Sequence, residues 1–328
     1  MYTEFYGLTA FPFQLTPDPR FFFESTVHRR AVAHLLFGLE QSEGFIVITG
    51  DVGAGKTTIL GHLLDALDTS AFVAAKIVSS NLQADDMLRS VASAFGLPFE
   101  GADKATLLRR IEDFLAANHA RGLRTLLMVD EAQNLTFSAL EELRMLSNFQ
   151  VGNRVPLQSF LLAQPQFRRT LANPDLEQFR QRVIASYHLG PMGAEETREY
   201  INHRLTLVGW HGDPEISPEA HADIFAATAG VPRRINVFCS RLLLHAFLDG
   251  LHAVDRDVVR QVGEDLRRES SQVVDGSPQP AAPIEVSIPA STPISDRLDR
   301  LERRVESHNR ALRYFASLSD TKLADSLR

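Results

Sequence analysis

Apolar and polar positions follow two regimes along the chain. Up to about residue 192, short apolar runs alternate with longer stretches of helical periodicity. Gly44-Phe45-Ile46-Val47-Ile48-Thr49 is the first such run, and its unbroken apolar character predicts a buried strand. Similar runs at 72–78, 124–130, 156–163 and 185–189 predict four more strands. The intervening segments 57–67, 84–95, 104–119, 137–148 and 165–182 predict helices. Ser25 can cap an earlier helix through about Glu40, with Val32, Leu35, Leu36 and Leu39 on one face. Strand and helix in alternation imply an α/β fold, a parallel sheet covered by helices on both faces.

From about residue 193 the pattern changes to helices alone: 194–209, 217–229, 232–249 and 255–269, which predicts a small all-α domain. The first 24 residues are rich in aromatics, and Pro12, Pro17 and Pro19 exclude a regular helix there. Four segments result: 1–192, a core with its aromatic and proline-rich arm; 193–269, a helical lid; 270–296, a disordered linker rich in Ser, Pro and Ala; and 297–318. In the last, Leu298, Leu301, Val305, His308, Leu312 and Phe315 recur at spacings of three and four, as in a lone amphipathic helix or a short coiled coil.

Composition narrows the picture. The chain has 328 residues, 44% of them hydrophobic, enough for real cores. Its net charge of -7 weighs against nucleic acid as a partner. Cys239 is the one cysteine, set in an apolar helical pattern, so an intramolecular disulfide is excluded and a cytoplasmic location is expected. No apolar run approaches the ~20 residues that cross a bilayer. MYTEFYGLTA lacks the basic start and apolar centre of a secretory signal. Association with a membrane, peripheral at the inner face, is therefore expected only through a partner.

The first apolar run leads into Gly50-Asp51-Val52-Gly53-Ala54-Gly55-Lys56-Thr57-Thr58. This is a complete phosphate loop between strand and helix, and it predicts binding of ATP. Its glycines let the backbone wrap a β-phosphate with N–H groups pointing inward. Lys56 would bridge β and γ oxygens, Thr57 would ligate Mg²⁺, Thr58 can reach the α-phosphate, and the helix that follows would add its positive dipole end. A second run, Leu126-Leu127-Met128-Val129, ends in Asp130-Glu131. There Asp130 can hold Mg²⁺, and Glu131 can polarise the attacking water as the chain's own base. Gln164 ends the strand 156–163 and can sense the γ-phosphate. Arg180 or Arg182, ahead of the last strand, can reach a neighbouring subunit's γ-phosphate. Arg233 opens a helix of the small domain after Gly230 and Pro232 and can clamp the nucleotide. The eleven histidines show no metal-ligand spacing, so Mg²⁺ is the only metal expected.

With these residues in view, the sequence resembles the AAA+ ATPases of the general secretion pathway A type. It is most similar to the subfamily of exosortase (PEP-CTERM) and exopolysaccharide loci. FYGLTAFPFQLTPDPRFFF, GFIVITGDVGAGKTT, LLMVDEAQNL, LRMLSNFQ, LLAQPQF, FRQRV and GVPRRIN carry the likeness, over about residues 1–269. The resemblance implies a P-loop AAA+ core with a helical lid, usually in a homo-oligomer, ring or filament, whose arginines work in trans. It gives Gln164 the sensor 1 role, Arg233 the sensor 2 role and Arg182 that of the finger, with Arg180 in reserve. Gln164 departs from the Asn, Ser or Thr usual at sensor 1. The arm is expected either near the adenine or as a cap on the core.

Longer members of the family continue into a transmembrane helix and a peptidoglycan-binding domain, so direct cell-wall remodelling is not expected of these residues. The expected function is Mg²⁺-dependent ATP hydrolysis that drives assembly or export of protein or polysaccharide, with membrane proteins of the export system met through the C-terminal helix. Two alternatives stand beside it: a DNA-binding regulator of the transposition type, and a nucleotide-gated scaffold with little hydrolysis.

Overall fold

The computed structural model describes residues 2–16, 18–41, 43–68, 70–78 and 82–274. The linker beyond 274 and the helix expected at 297–318 lie outside the described residues.

The chain enters through α1 (Tyr2–Phe5) and α2 (Thr26–Gln41). It continues through β1 (Phe45–Gly50), α3 (Lys56–Ala66), β2 (Phe72–Val78), α4 (Ala84–Ala94), α5 (Lys104–Ala120), β3 (Arg124–Asp130), α6 (Phe137–Leu146) and β4 (Leu157–Ala163). Two short helices, α7 (Phe167–Leu171) and α8 (Glu177–Arg180), lead to β5 (Val183–Leu189). The remainder is α9 (Ala194–Leu207), β6 (Glu215–Ile216), α10 (Pro218–Thr228), α11 (Pro232–Leu248), β7 (Ala253–Val254) and α12 (Arg256–Val274).

The five long strands form one parallel sheet in the order β2-β3-β4-β1-β5. Its central strands are mostly apolar and almost wholly buried because both faces are covered. Phe45 and Val47 of β1 join one core with Leu127, Val129, Leu157 and Leu161, under α4, α5 and α6. Ile46 and Ile48 point the other way and join Leu126, Met128, Phe160 and Leu162, under α2 and α3. Phe45 is fully buried and stacks on Phe179 of α8 at 4.2 Å between centroids. Burial of one such ring stabilises the fold by roughly 1.5–3 kcal/mol.

The structure revises four expectations. The segment 165–182 is not one helix: Pro174 cannot continue α7, and Asn173 accepts the backbone N–H of Asp175 to start a 3-10 turn, Pro174–Leu176, before α8. The region after 193 is not helical alone, since β6 and β7 pair in parallel for two residues each. The arm holds a one-turn helix, α1, ahead of its prolines, and a 3-10 turn at Pro19–Phe21. The last helix continues to Val274 rather than ending at 269.

The arm also has a definite seat. Tyr2, Tyr6, Leu8, Phe13 and Phe21 are buried with Ile201, Leu205, Ile224, Ile235 and Leu242 of the helical domain. Tyr6 donates its hydroxyl to Leu251 O at 2.8 Å, and Arg204 donates to Pro12 O at 2.8 Å. Arg204 also lies over the rings of Phe21 and Tyr200, at 4.9 and 5.2 Å. The arm thus completes the lid's core. Cys239 is buried in the same cluster, where burial pushes its thiol pKa up, as suits a packing residue.

Candidate nucleotide site

Between β1 and α3 the backbone turns through two left-handed positions, Gly53 at φ 82° and Gly55 at φ 96°. A side chain would be strained at either. It would also collide: a Cβ on Gly53 would stand 2.2 Å from Cβ of Arg233, and one on Gly55 would stand 2.6 Å from Nε2 of His28. The loop is therefore gripped by α2 on one side and by the lid on the other. Arg233 donates its backbone N–H to Gly53 O at 3.1 Å, so the start of α11 is fastened directly to the loop.

Lys56 is 6% exposed and donates to Gly50 O at 2.8 Å and Asp51 O at 3.0 Å, closing the loop on itself. Burial lowers its pKa, against the opposing pull of Glu131, Asp130 and Asp51. Val52, Gly53, Gly55, Thr57, Thr58, Glu131 and Arg233 line the same cleft, while Ala54 turns inward, 3% exposed.

The ends of β1 and β3 bring the two acidic residues to the loop. Thr57 donates its hydroxyl to Asp130 Oδ2 at 2.9 Å, and Glu131 N–H donates to Asp130 Oδ1 at 3.0 Å. A hydroxyl and a carboxylate side by side at a phosphate loop are hard oxygen donors. They suit Mg²⁺, which takes one or two protein oxygens and completes its shell with phosphate and water. Glu131 holds a left-handed backbone at φ 55°, an uncommon state for glutamate, at the turn out of β3. Its Oε2 accepts from Gln164 Nε2 at 3.1 Å and also from Gln133 Nε2. Gln133 Oε1 in turn accepts the Gln164 backbone N–H at 2.9 Å. Gln164 thus contacts Glu131, the residue expected from the sequence to act as base. Arg180 donates to Leu171 O at 3.0 Å and Arg182 to Ser147 O at 3.1 Å, and neither lines the cleft.

Several cleft residues are not singled out one by one in the sequence, although the arm as a whole is expected either near the adenine or as a cap on the core. Gln14, Leu15, Thr16 and the Phe21–Phe23 segment come from the arm, and Tyr200, Arg204 and Asn236 from the lid. Tyr200 donates to Asn236 Oδ1 at 2.8 Å. His28 is buried, and its Nδ1 lies 2.6 Å from Ser25 Oγ, while Ser25 Oγ also accepts the His28 backbone N–H at 3.3 Å as the α2 cap. Burial lowers the His28 pKa. Glu196 of α9 accepts the Thr26 backbone N–H at 2.6 Å, tying lid to core at the positive end of α2. An Ser-x-x-His cap at the head of α2 was the one visible hint of His28. Residues four apart on α9, Tyr200 and Arg204, read only as a helix face.

Comparison with known proteins agrees with this geometry. Residues 39–171 match the AAA domain family. General secretion pathway protein A of Aeromonas hydrophila is 38% identical over 255 residues, which cover 77% of this chain and 46% of that protein. The chain thus spans less than half the length of that relative. Among solved structures, Cdc6p from Pyrobaculum aerophilum is 18% identical with a TM-score of 0.60, covering 80% of this chain and 74% of that one. The Aeropyrum pernix ORC2 protein, in its ADPNP-ADP complexes, is 16% identical with a TM-score of 0.58, covering 81% and 74%. At such identities the likeness speaks for the fold. The chain contains an AAA domain at residues 39–171 and has the fold of a P-loop AAA+ ATPase.

Proposed function

We propose that the chain is a Mg²⁺-dependent ATPase whose hydrolysis drives or regulates assembly or export in a secretion or exopolysaccharide system. One observation carries the hydrolytic part: the Thr57–Asp130 pair and Glu131 stand together at the mouth of the phosphate loop. Lys56 would leave the loop carbonyls to hold β and γ oxygens. Thr57 and Asp130 would hold Mg²⁺, which neutralises phosphate charge when bound. Glu131 would orient the attacking water and take its proton. Gln164, already on Glu131, would link the base to the γ-phosphate. Arg233, seated on the loop, would make lid position depend on nucleotide. Arg182, or Arg180, would serve a neighbouring subunit in a homo-oligomer. Support for the secretion process comes from the motifs and from the Aeromonas hydrophila relative. The exosortase-type locus and a membrane partner met through residues 297–318 belong to the same proposal.

A second reading, the nucleotide-gated scaffold, is favoured by the two glutamine amides on Glu131 Oε2. A base held this way turns over slowly until something moves Gln164 or Gln133.

The deciding experiment is ATP turnover by the purified protein with Mg²⁺, beside Glu131→Gln, with light-scattering mass in each nucleotide state. Turnover that is lost in the variant, with assembly driven by ATP, supports the motor. Tight binding without turnover supports the scaffold. Turnover by Glu131→Gln at the wild-type rate removes Glu131 as the base.

A further inference from the structure

The structure assigns a task to Lys76, a residue on no phosphate or acidic motif. It lies on β2, the edge strand, whose outer face is exposed. A lysine there ordinarily keeps other strands from pairing and holds its ammonium in water. This one turns toward the site: Lys76 Nζ stands 3.1 Å from Asp130 Oδ2, with only 35% of its side chain exposed. The register explains how. β2 and β3 run parallel with Lys76 opposite Met128 and Val78 opposite Asp130, so Lys76 and Asp130 share a sheet face two positions apart. The lysine stem bridges the ~6.6 Å of strand rise between them.

Asp130 is 7% exposed at its side chain, and a buried carboxylate without a counter-charge is costly. Lys56 does not supply that charge directly, because its ammonium is taken up by Gly50 O and Asp51 O. Lys76 supplies it, on the same Oδ2 that accepts from Thr57. A divalent cation held by Thr57 and Asp130 would meet this ammonium at the shared oxygen. Two cations cannot occupy that position together.

We propose that Lys76 is a resident counter-cation of Asp130 that competes with Mg²⁺ and so sets the metal affinity of the nucleotide complex. This rests on the nucleotide and metal reading above. The flexible stem lets the ammonium swing out into water when metal arrives. While the metal is absent, it keeps the Asp130 carboxylate paired and in place. Lys76 is thus a positioning residue, one that makes metal loading conditional.

The test uses the full chain saturated with a non-hydrolysable ATP analogue, with Mn²⁺ as an EPR probe of the metal site. Lys76→Met and Lys76→Gln are compared with wild type and Lys76→Arg, each checked by thermal melting. Both neutral variants are expected to bind Mn²⁺ about tenfold more tightly, the scale of removing one nearby unit charge from a partly screened site. Lys76→Arg is expected to stay within about twofold of wild type, on the same Coulomb argument. A fluorescent ATP analogue titrated in EDTA is expected to bind all four proteins alike. Unchanged or weaker Mn²⁺ binding in both neutral variants would overturn the inference. So would a large loss of analogue binding in EDTA, which would make Lys76 a phosphate ligand. If wild type binds no analogue at all, the nucleotide reading itself fails and takes this inference with it. If wild type binds analogue while the variants leave Mn²⁺ unchanged, only the role of Lys76 fails.

Discussion

Gly53→Ala tests whether the lid and the phosphate loop act as one unit. The residue sits at φ 82°, where an alanine costs roughly 1–2 kcal/mol more than glycine. The new Cβ would stand 2.2 Å from Cβ of Arg233, closer than carbon atoms tolerate. Neither atom can rotate away, since each is bonded directly to its backbone. Relief requires the loop and the start of α11 to part, which stretches the Arg233 N–Gly53 O bond from 3.1 Å and sacrifices about 1 kcal/mol. The total, about 2–3 kcal/mol, disfavours the arrangement that forms the cleft. Affinity for a fluorescent ATP analogue should then fall about 30- to 160-fold. Arg233→Gly removes the opposing Cβ while leaving the strain at residue 53. The double variant should therefore lose less than the sum of the two single losses, by about 1 kcal/mol or more in a double-mutant cycle. Strictly additive losses would show that loop and lid do not touch in the binding form, and the reasoning would be wrong.

Arg204→Ala removes the bond to Pro12 O and the contacts with Phe21 and Tyr200, and should destabilise by about 1–3 kcal/mol; faster proteolysis within the arm, with the core surviving, would report it. His28, His203 and His221 all have pKa values lowered by burial from the ordinary 6.5, so neutral rings favour the fold. That stability is complete above 6.5 and is lost as pH falls through the lower folded values, so the melting temperature should decline from pH 6.5 toward 5, less steeply in His28→Gln. Arg182→Ala should bind ATP normally and hydrolyse it slowly, and mixing it with Glu131→Gln should restore some turnover. No rescue at any mixing ratio, with both variants oligomeric, would count against action in trans.

What the sequence made legible was local. Phe45 to Thr49 reads as a buried strand because both faces are covered, so the apolar run is continuous. The phosphate loop reads from its own nine residues because its geometry is built into glycine positions. Asp130 and Glu131 were legible as the end of an apolar run. By contrast, Lys76 looked like any edge-strand lysine, since its partner is 54 positions away in the chain, on the next strand. Gln133 lies in a 3-10 turn whose direction follows from the left-handed Glu131. The aromatic arm was recognisable, but its burial with α9, α10 and α11 depends on contacts across nearly the whole described chain. The break at Pro174 was visible in principle: Phe167 and Leu171 are four apart and Leu176 and Phe179 three apart, but the step of five from Leu171 to Leu176 breaks the helical spacing. β6 and β7 are too short to produce any period.

The seat of the arm has a consequence for the order of events in biosynthesis. Tyr6 is made early, yet its hydroxyl partner is Leu251, 245 positions later. At ~5–20 residues per second, that interval lasts roughly 10–50 s. Until α9 is made, from residue 194 on, Tyr2, Tyr6, Phe13 and Phe21 have nothing of the lid to cover them, and their cover stays incomplete up to Leu251, while the sheet can already close around β1, β3 and β4. The end of the cleft built from arm and lid together comes into existence last. The nascent protein thus possesses a phosphate loop well before it possesses a complete nucleotide pocket, and its exposed aromatic arm is a natural client for chaperones until residues near 250 have emerged.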